Sequence, residues 1–166
     1  AGGQMRVAFN GVEDLTRVIA DLTDDEIRNT DFGTYSAADF FEDMARVTQY
    51  RCHSELVEYV IGESLDTLVW LRGKGVRFEA AFGRQASRVN GRMTFWGGLP
   101  CIVWGGGAGL IDALHARAAK DGIRTLYDTP AVGLIRDANR ITGIRVLHQG
   151  DLREIQSGRM DPSGEA

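Results

Sequence analysis

Apolar side chains recur every three or four residues in the first half of the chain, the spacing of helices that bury one face. Residues 12–19 carry a short stretch of this pattern. Thr23 followed by Glu26 has the form of a capping box and predicts a second short helix. The first 35 residues are therefore expected to be mixed, with two short helices.

Two longer helices are predicted next. Ser36 is a start signal for a helix whose apolar stripe lies in residues 40–47 and which ends near Tyr50. Ser54 is predicted to cap a longer helix, which ends at the glycines of residues 73–75. Both are interpreted as ordinary helices that pack against a core.

From residue 76 the hydrophobic period changes to two, which indicates half-buried strands. Strands are predicted at residues 76–80, 87–89, 92–95 and 99–104. The pair Asn90-Gly91 is a strong signal for a hairpin turn between the second and third of these strands. A glycine group at residues 105–109 then leads into a helix that is predicted to stop at Asp121-Gly122.

The last part of the chain reads as strands only. They are predicted at residues 123–127, 131–136, 141–148 and 152–156. Short turns join the last three, which predicts an antiparallel β-meander. Residues 157–166 have no periodicity and are predicted to be a disordered tail. No repeat and no linker between domains is visible. The order of elements, with two packed helices, a βα unit and the meander, predicts an α+β or α/β fold class.

Composition narrows the class of protein. Of 166 residues, 43% are hydrophobic and 25% are charged, as in an ordinary globular domain. The net charge of −4 argues against nucleic acid as a partner, and no apolar stretch reaches the length of about 18 residues that a transmembrane segment needs. Cys52 and Cys101 lack a metal or redox spacing and are expected to be free thiols in a reducing cytoplasm.

Residues 99–128 imitate a dinucleotide-binding unit, with an apolar run, a glycine turn, a helix and a later acidic residue, Asp128. The glycine spacing does not fit, because the sixth residue counted from Gly105 is Leu110, and counted from Gly107 it is Asp112. A helix start rich in backbone N–H groups and close to an anion or cofactor is the favoured interpretation.

Other chemistries have little support in the sequence. His53, His115 and His148 lie on separate elements without a metal-binding spacing, so no metal site is expected. The chain has no G-x-S-x-G nucleophile motif. No catalytic residue is assigned to it.

The order of features resembles the flavoprotein family of succinate dehydrogenase and fumarate reductase. It consists of an Ala-Gly-Gly opening, helices, a Gly-Gly-Gly-x-Gly-Leu helix start, Lys120-Asp121-Gly122-Ile123 and a meander. Within that family, four stretches look like tricarballylate dehydrogenases: residues 31–35, 46–51, 72–78 and 95–98.

The resemblance implies an FAD-dependent enzyme that removes two hydrogens from adjacent carbons of a small polycarboxylate, converting tricarballylate to cis-aconitate. An electron-acceptor protein or a quinone would then reoxidise the flavin. Residues 1–156 would be a partial FAD-binding domain, since the family's G-x-G-x-x-G segment and its capping and final FAD segments are missing from the sequence. The chain is therefore expected to be an internal fragment that is inactive alone.

The resemblance also selects site residues. It implies that the opening residues Ala1, Gly2 and Gly3 lie beside the isoalloxazine ring. It implies that Ala131 and Val132, at the start of the strand after Pro130, lie beside the adenine. The loop after Phe95, formed by Trp96, Gly97 and Gly98, is expected on the substrate side.

Four alternatives stay open. The parent enzyme could have the specificity of a fumarate reductase or of a ketosteroid dehydrogenase. The chain could instead be a nucleotide-binding βαβ module that uses the turn at residues 105–109, or an inactive remnant.

Overall fold

A computed structural model of the protein describes residues 2–157. The chain divides into two compact units, Ala1–Gly122 and Ile123–Ala166. The division follows the helix end predicted at Asp121-Gly122, but the sequence carries no linker there and predicted no boundary.

The helices of the first unit agree in order with the sequence pattern. They are α1 (Val12–Thr16), α2 (Asp24–Asn29), α3 (Ala37–Val47), α4 (Ser54–Gly62), α5 (Ser64–Gly73), α6 (Phe82–Gln85) and α7 (Gly106–Lys120). Thr23 and Ser36 each close a capping box at the starts of α2 and α3, which confirms both predicted caps. The four-residue helix α6 was not predicted.

The long helix predicted from Ser54 onward is wrong, because the chain breaks between α4 and α5 at Glu63. Ser64 explains the break. Its Oγ donates to the carbonyl of Ile61 at 2.7 Å and accepts from the amide of Ala8 at 3.1 Å. A side-chain hydroxyl that bonds to nearby backbone competes with the hydrogen bonds of the helix. Here the hydroxyl of Ser64 also connects helices α4 and α5 to residues 2–9, the opening segment of the chain.

Short strands complete the first unit. They are β1 (Thr30–Asp31), β2 (Phe78–Ala80), β3 (Ala86–Val89), β4 (Arg92–Phe95) and β5 (Cys101–Val103). Strands β3 and β4 form the predicted hairpin, with positive φ at both Asn90 and Gly91, as a type I′ turn requires. Strand β5 pairs antiparallel with β2, and β1 adds to β4 in parallel, a pairing that was not predicted.

The core of the first unit gathers around the opening segment, residues 2–9. Val7 and Phe9 are almost completely buried, together with Leu15, Leu68 and Phe78. Burying one side chain of this size contributes roughly 1.5–3 kcal/mol. The opening segment is therefore held in place by its own apolar residues.

The second unit is a β-meander of β6 (Ala131–Asp137), β7 (Arg140–His148) and β8 (Asp151–Gln156), paired antiparallel in that order. This confirms the predicted meander. The strand predicted at residues 123–127 is wrong, since these residues pair with no strand in the described part of the chain. Turn bonds replace a ladder there, and the Thr129 hydroxyl donates to the Tyr127 carbonyl at 2.7 Å.

Part of the predicted disordered tail lies outside the described residues. Ser157 continues the sheet, because its amide donates to the carbonyl of Thr142 at 2.8 Å. Residues 158–166 are not among those described, so disorder there stays a prediction.

Candidate functional site

The opening segment runs beside β5 on the edge opposite β2. The amide of Val103 donates to the carbonyl of Gly3 at 3.0 Å, and Gln4 forms an antiparallel bridge with Ile102. Ile102 also pairs with Glu79 of β2, so β5 lies between the opening segment and β2. Backbone hydrogen bonds therefore fix the position of Gly3, one of the predicted flavin-contact residues.

The same segment reaches the predicted substrate-side loop. The amide of Val7 donates to the carbonyl of Gly98 at 2.9 Å. Two residues later, Phe9 exchanges backbone hydrogen bonds of 2.9 Å with Tyr35. The loop at residues 96–98 is thus hydrogen-bonded to the same opening segment that contains Gly2 and Gly3.

Gly3 is required by contact with the start of α7. Its φ is +76°, and a Cβ built there would lie 2.6 Å from the carbonyl carbon of Gly106. Gly2 is different. It is exposed, and a Cβ there would meet only Nη1 of Arg84 at 3.4 Å. Of the predicted opening residues that the structure describes, Gly2 is the one that leaves a free backbone surface, while Ala1 lies outside the described residues.

The start of α7 is a glycine turn with no side-chain cap. Gly105 is the N-cap residue with φ 75°, and no side chain among residues 2–157 forms a cap bond there. A Cβ at Gly109 would lie 1.9 Å from the carbonyl oxygen of Trp104, so the turn also needs glycine there. The amides of such a first turn carry partial positive charge and favour an anionic or strongly polar group.

Gly105 and Gly106 were not selected as site residues from the sequence. The signal that could have found them is the glycine group itself, which was examined for a dinucleotide-binding unit. The structure argues against that unit, since β5 pairs antiparallel with β2 and no strand follows α7 before β6 in the described residues. The same glycines serve a close approach of backbone to backbone.

The residues at this junction fit a flavin. A planar ring system needs a surface without side chains, which the backbone of Gly2 and the exposed Gly105 provide. The Nε2 atom of Gln4 is buried and has no hydrogen-bond partner within residues 2–157. A buried donor without a partner is costly, and a carbonyl or ring nitrogen of a bound group would satisfy it.

The predicted substrate-side loop has one structural residue and two open ones. A Cβ at Gly98 would lie 2.3 Å from Cε1 of Tyr35, so packing against this ring requires glycine. Gly97 is exposed with φ 67°, and the side chain of Trp96 is 53% exposed. Trp96 and Gly97 therefore form the accessible surface of the loop.

A polar network fixes the ring of Tyr35. Its hydroxyl donates to Oδ2 of Asp43 at 2.7 Å and accepts from Nη1 of Arg6, also at 2.7 Å. Burial and the bond to Asp43 raise the pKa of Tyr35, so the phenol stays protonated. The hydrogen bond from Arg46, followed by that from Tyr35, lowers the pKa of Asp43. The ring that supports Gly98 is held by a charged, fully formed network.

In the second unit, Ala131 and Val132 lie on the edge strand of the described meander, and both are exposed. The register shifts between Ala131 and Gly133, a bulge that leaves Val132 without an opposite residue on β7. Backbone groups at such a position are available to a ligand. Their predicted contact with the adenine stays a prediction.

Metal chemistry, and thiol chemistry at Cys101, find no support in residues 2–157. No group of three or more His, Cys, Asp or Glu side chains there is arranged to hold a metal ion. Burial raises the pKa of the Cys101 thiol to about 12, which keeps it protonated and unreactive. Among these residues, no helix has both the length and the apolar character needed to cross a membrane.

Comparisons with known proteins bear on the fold and the cofactor. The family described as FAD binding domain matches residues 26–160. Among solved structures, the open conformation of a flavocytochrome c3 fumarate reductase is similar, with a TM-score of 0.58 and 19% identity over 94% of this chain. The chain spans only 24% of the length of that protein. No curated protein sequence matches the chain.

These findings confirm the expected fold class, a mixed α and β arrangement that forms part of an FAD-binding domain as seen in fumarate reductase. They also confirm the expected cofactor. The family match includes helix α7 and the strands of the meander. The chain belongs to the FAD binding domain family, and FAD is the cofactor that this family binds.

Proposed function

We propose that this chain supplies part of the flavin-binding wall of an FAD-dependent oxidoreductase that dehydrogenates a small polycarboxylate, tricarballylate, to cis-aconitate. The observation that carries the proposal is the glycine junction where Gly2 and Gly3 lie against Gly106, next to the exposed Gly105. The FAD binding domain match supports the cofactor. The four stretches that resemble tricarballylate dehydrogenases support the substrate.

Bound FAD would supply a hydride acceptor, while the proton from the adjacent substrate carbon would pass to a base that is not assigned to this chain. The residues of the chain itself act by position. The backbone at Gly2 admits a flat ring, and the uncapped first turn of α7 favours electron density that accumulates nearby. The exposed indole of Trp96 would cover the substrate side and exclude water.

The flavin contact at Gly2 is tested in the complete flavoprotein that contains this chain. Gly2→Ala adds a methyl group where the ring is proposed to lie, and we expect roughly a tenfold weaker FAD affinity, as one steric contact of this size implies. Flavin absorbance per protein after dialysis measures it. Gly73→Ala is the matched control, because a Cβ there meets nothing within 4 Å.

The substrate is tested by dye reduction with the same protein. We expect tricarballylate to support dye reduction. Fumarate reductase activity without tricarballylate oxidation would replace the proposed substrate by the fumarate reductase-like alternative. Oxidation of a ketosteroid alone would favour the ketosteroid dehydrogenase-like alternative. A colourless complete protein that gains no flavin on addition of FAD would reject the flavoenzyme proposal altogether.

A further inference from the structure

Arg84 lies between the two predicted contact regions of the first unit. Its Nη1 atom is 3.4 Å from the place where a Cβ on Gly2 would stand. The next residue, Gln85, accepts a backbone hydrogen bond of 3.3 Å from the amide of Trp96. The guanidinium therefore stands beside the proposed flavin surface, and the backbone of the next residue is hydrogen-bonded to the start of the proposed substrate-side loop.

Within residues 2–122, Arg84 is the one arginine without a hydrogen bond or ion pair to another described residue. The other arginines of this range each have such a partner: Arg6, Arg17, Arg28, Arg46, Arg51, Arg72, Arg77, Arg88, Arg92 and Arg117. Arg84 is exposed, so its charge is solvated. A cation without a partner, next to a surface that fits a cofactor, is free to bind an anionic ligand.

The backbone that carries Arg84 is firmly placed. The amide of Arg84 donates to the carbonyl of Ala81 at 3.0 Å, and the amide of Ala81 donates to the carbonyl of Pro100 at 2.9 Å. Phe82 packs its ring against Phe95, with centroids 5.3 Å apart. These contacts anchor the short helix α6 in the core. Because the backbone at Arg84 is already ordered, binding of a ligand by the side chain costs little backbone conformational entropy.

We propose that Arg84 binds a carboxylate of the substrate, and this inference rests on the proposed function. A guanidinium has a planar pair of N–H donors that matches the two oxygens of a carboxylate. A polycarboxylate that presents a carbon to the flavin must place its carboxylates around the ring. The Arg84 guanidinium stands beside Gly2, where the ring is proposed to lie.

The test uses the complete FAD-loaded protein and tricarballylate itself as the probe. We expect Arg84→Gln to raise the dissociation constant, measured by calorimetry, and the KM roughly tenfold to a hundredfold, as loss of a charge-assisted pair implies. Arg84→Lys keeps the charge and should recover part of the loss. The flavin content and its absorbance spectrum should stay those of the unsubstituted protein.

Arg88→Gln is the matched control, because Arg88 is an exposed arginine of the adjacent strand β3 and, among the described residues, donates to the carbonyl of Gly91. It should leave both constants unchanged. If the unsubstituted protein binds FAD and tricarballylate and Arg84→Gln binds both equally well, the role of Arg84 is rejected and the proposed function stands. If the FAD-loaded protein does not bind tricarballylate, the substrate proposal and the role of Arg84 both fail.

Discussion

Gly3 has a structural reason to be glycine that is independent of its predicted contact with a flavin. The resemblance selected it for close approach of a flavin, whereas the structure gives a second reason, contact with the backbone of Gly106. The Gly3 carbonyl also accepts the amide of Val103, so the residue cannot move away from α7 without breaking a hydrogen bond. Loss of glycine at this position should therefore disturb the fold before it disturbs binding.

We expect Gly3→Ala to lower the free energy of unfolding by roughly 2–5 kcal/mol, the sum of a left-handed backbone and an overpacked contact. Urea denaturation measures this. Gly2→Ala is the control, since its Cβ meets only the end of a flexible arginine, and its effect should stay within about 0.5 kcal/mol. Equal stability of the two variants would contradict the packing of Gly3 on Gly106.

At the same scale, Gly98 marks what sequence reasoning could and could not provide. The sequence selected the Trp96–Gly98 loop through resemblance, and the structure places it next to the opening segment. The contact of Gly98 with the ring of Tyr35 joins residues far apart in the chain, and no periodicity reports such a pair. Arg84 escaped notice for the same reason, because its lack of a partner is visible only in three dimensions.

At the scale of elements, local signals were reliable where the structure uses them locally. The capping boxes, the Asn90-Gly91 hairpin and the meander are present because each depends on neighbours in sequence. The helix predicted from Ser54 was too long, since Ser64 bonds to Ala8 of the opening segment and this tertiary contact accompanies the break. The strand predicted at residues 123–127 lacks a partner strand among the described residues.

The two serines that were read as helix starts should differ in their contribution to stability. Ser36 accepts a hydrogen bond from the amide of Asp39 at 3.1 Å, so Ser36→Ala should cost about 1 kcal/mol of unfolding free energy. Ser54 is the first residue of α4, and His53 is the N-cap residue, whose side chain forms no cap hydrogen bond. Ser54→Ala should stay within about 0.5 kcal/mol, because alanine suits a helix well.

Thermal or urea unfolding of both variants, followed by circular dichroism, makes this comparison. A loss at Ser54 as large as that at Ser36 would show that Ser54 caps α4 after all. Reversal of the order would contradict the capping box at α3.

At the scale of the whole molecule, the chain consists of two compact units, and each carries one of the predicted flavin contacts. The glycine junction belongs to the first unit, and the exposed edge of β6 belongs to the second. Each of the two predicted contacts stays a prediction about its own unit.

Binding of FAD to the 166-residue chain tests how much of the wall is present in it. The sequence contains no G-x-G-x-x-G, so no turn of that type is available to hold the pyrophosphate. We therefore expect no saturable binding at micromolar FAD, measured by quenching of flavin fluorescence, while the complete protein binds. Micromolar binding by the chain that disappears in Gly107→Val would instead mean that the turn at residues 105–109 holds the phosphates. Micromolar binding that persists in Gly107→Val would show that the chain binds FAD without a phosphate turn at residues 105–109.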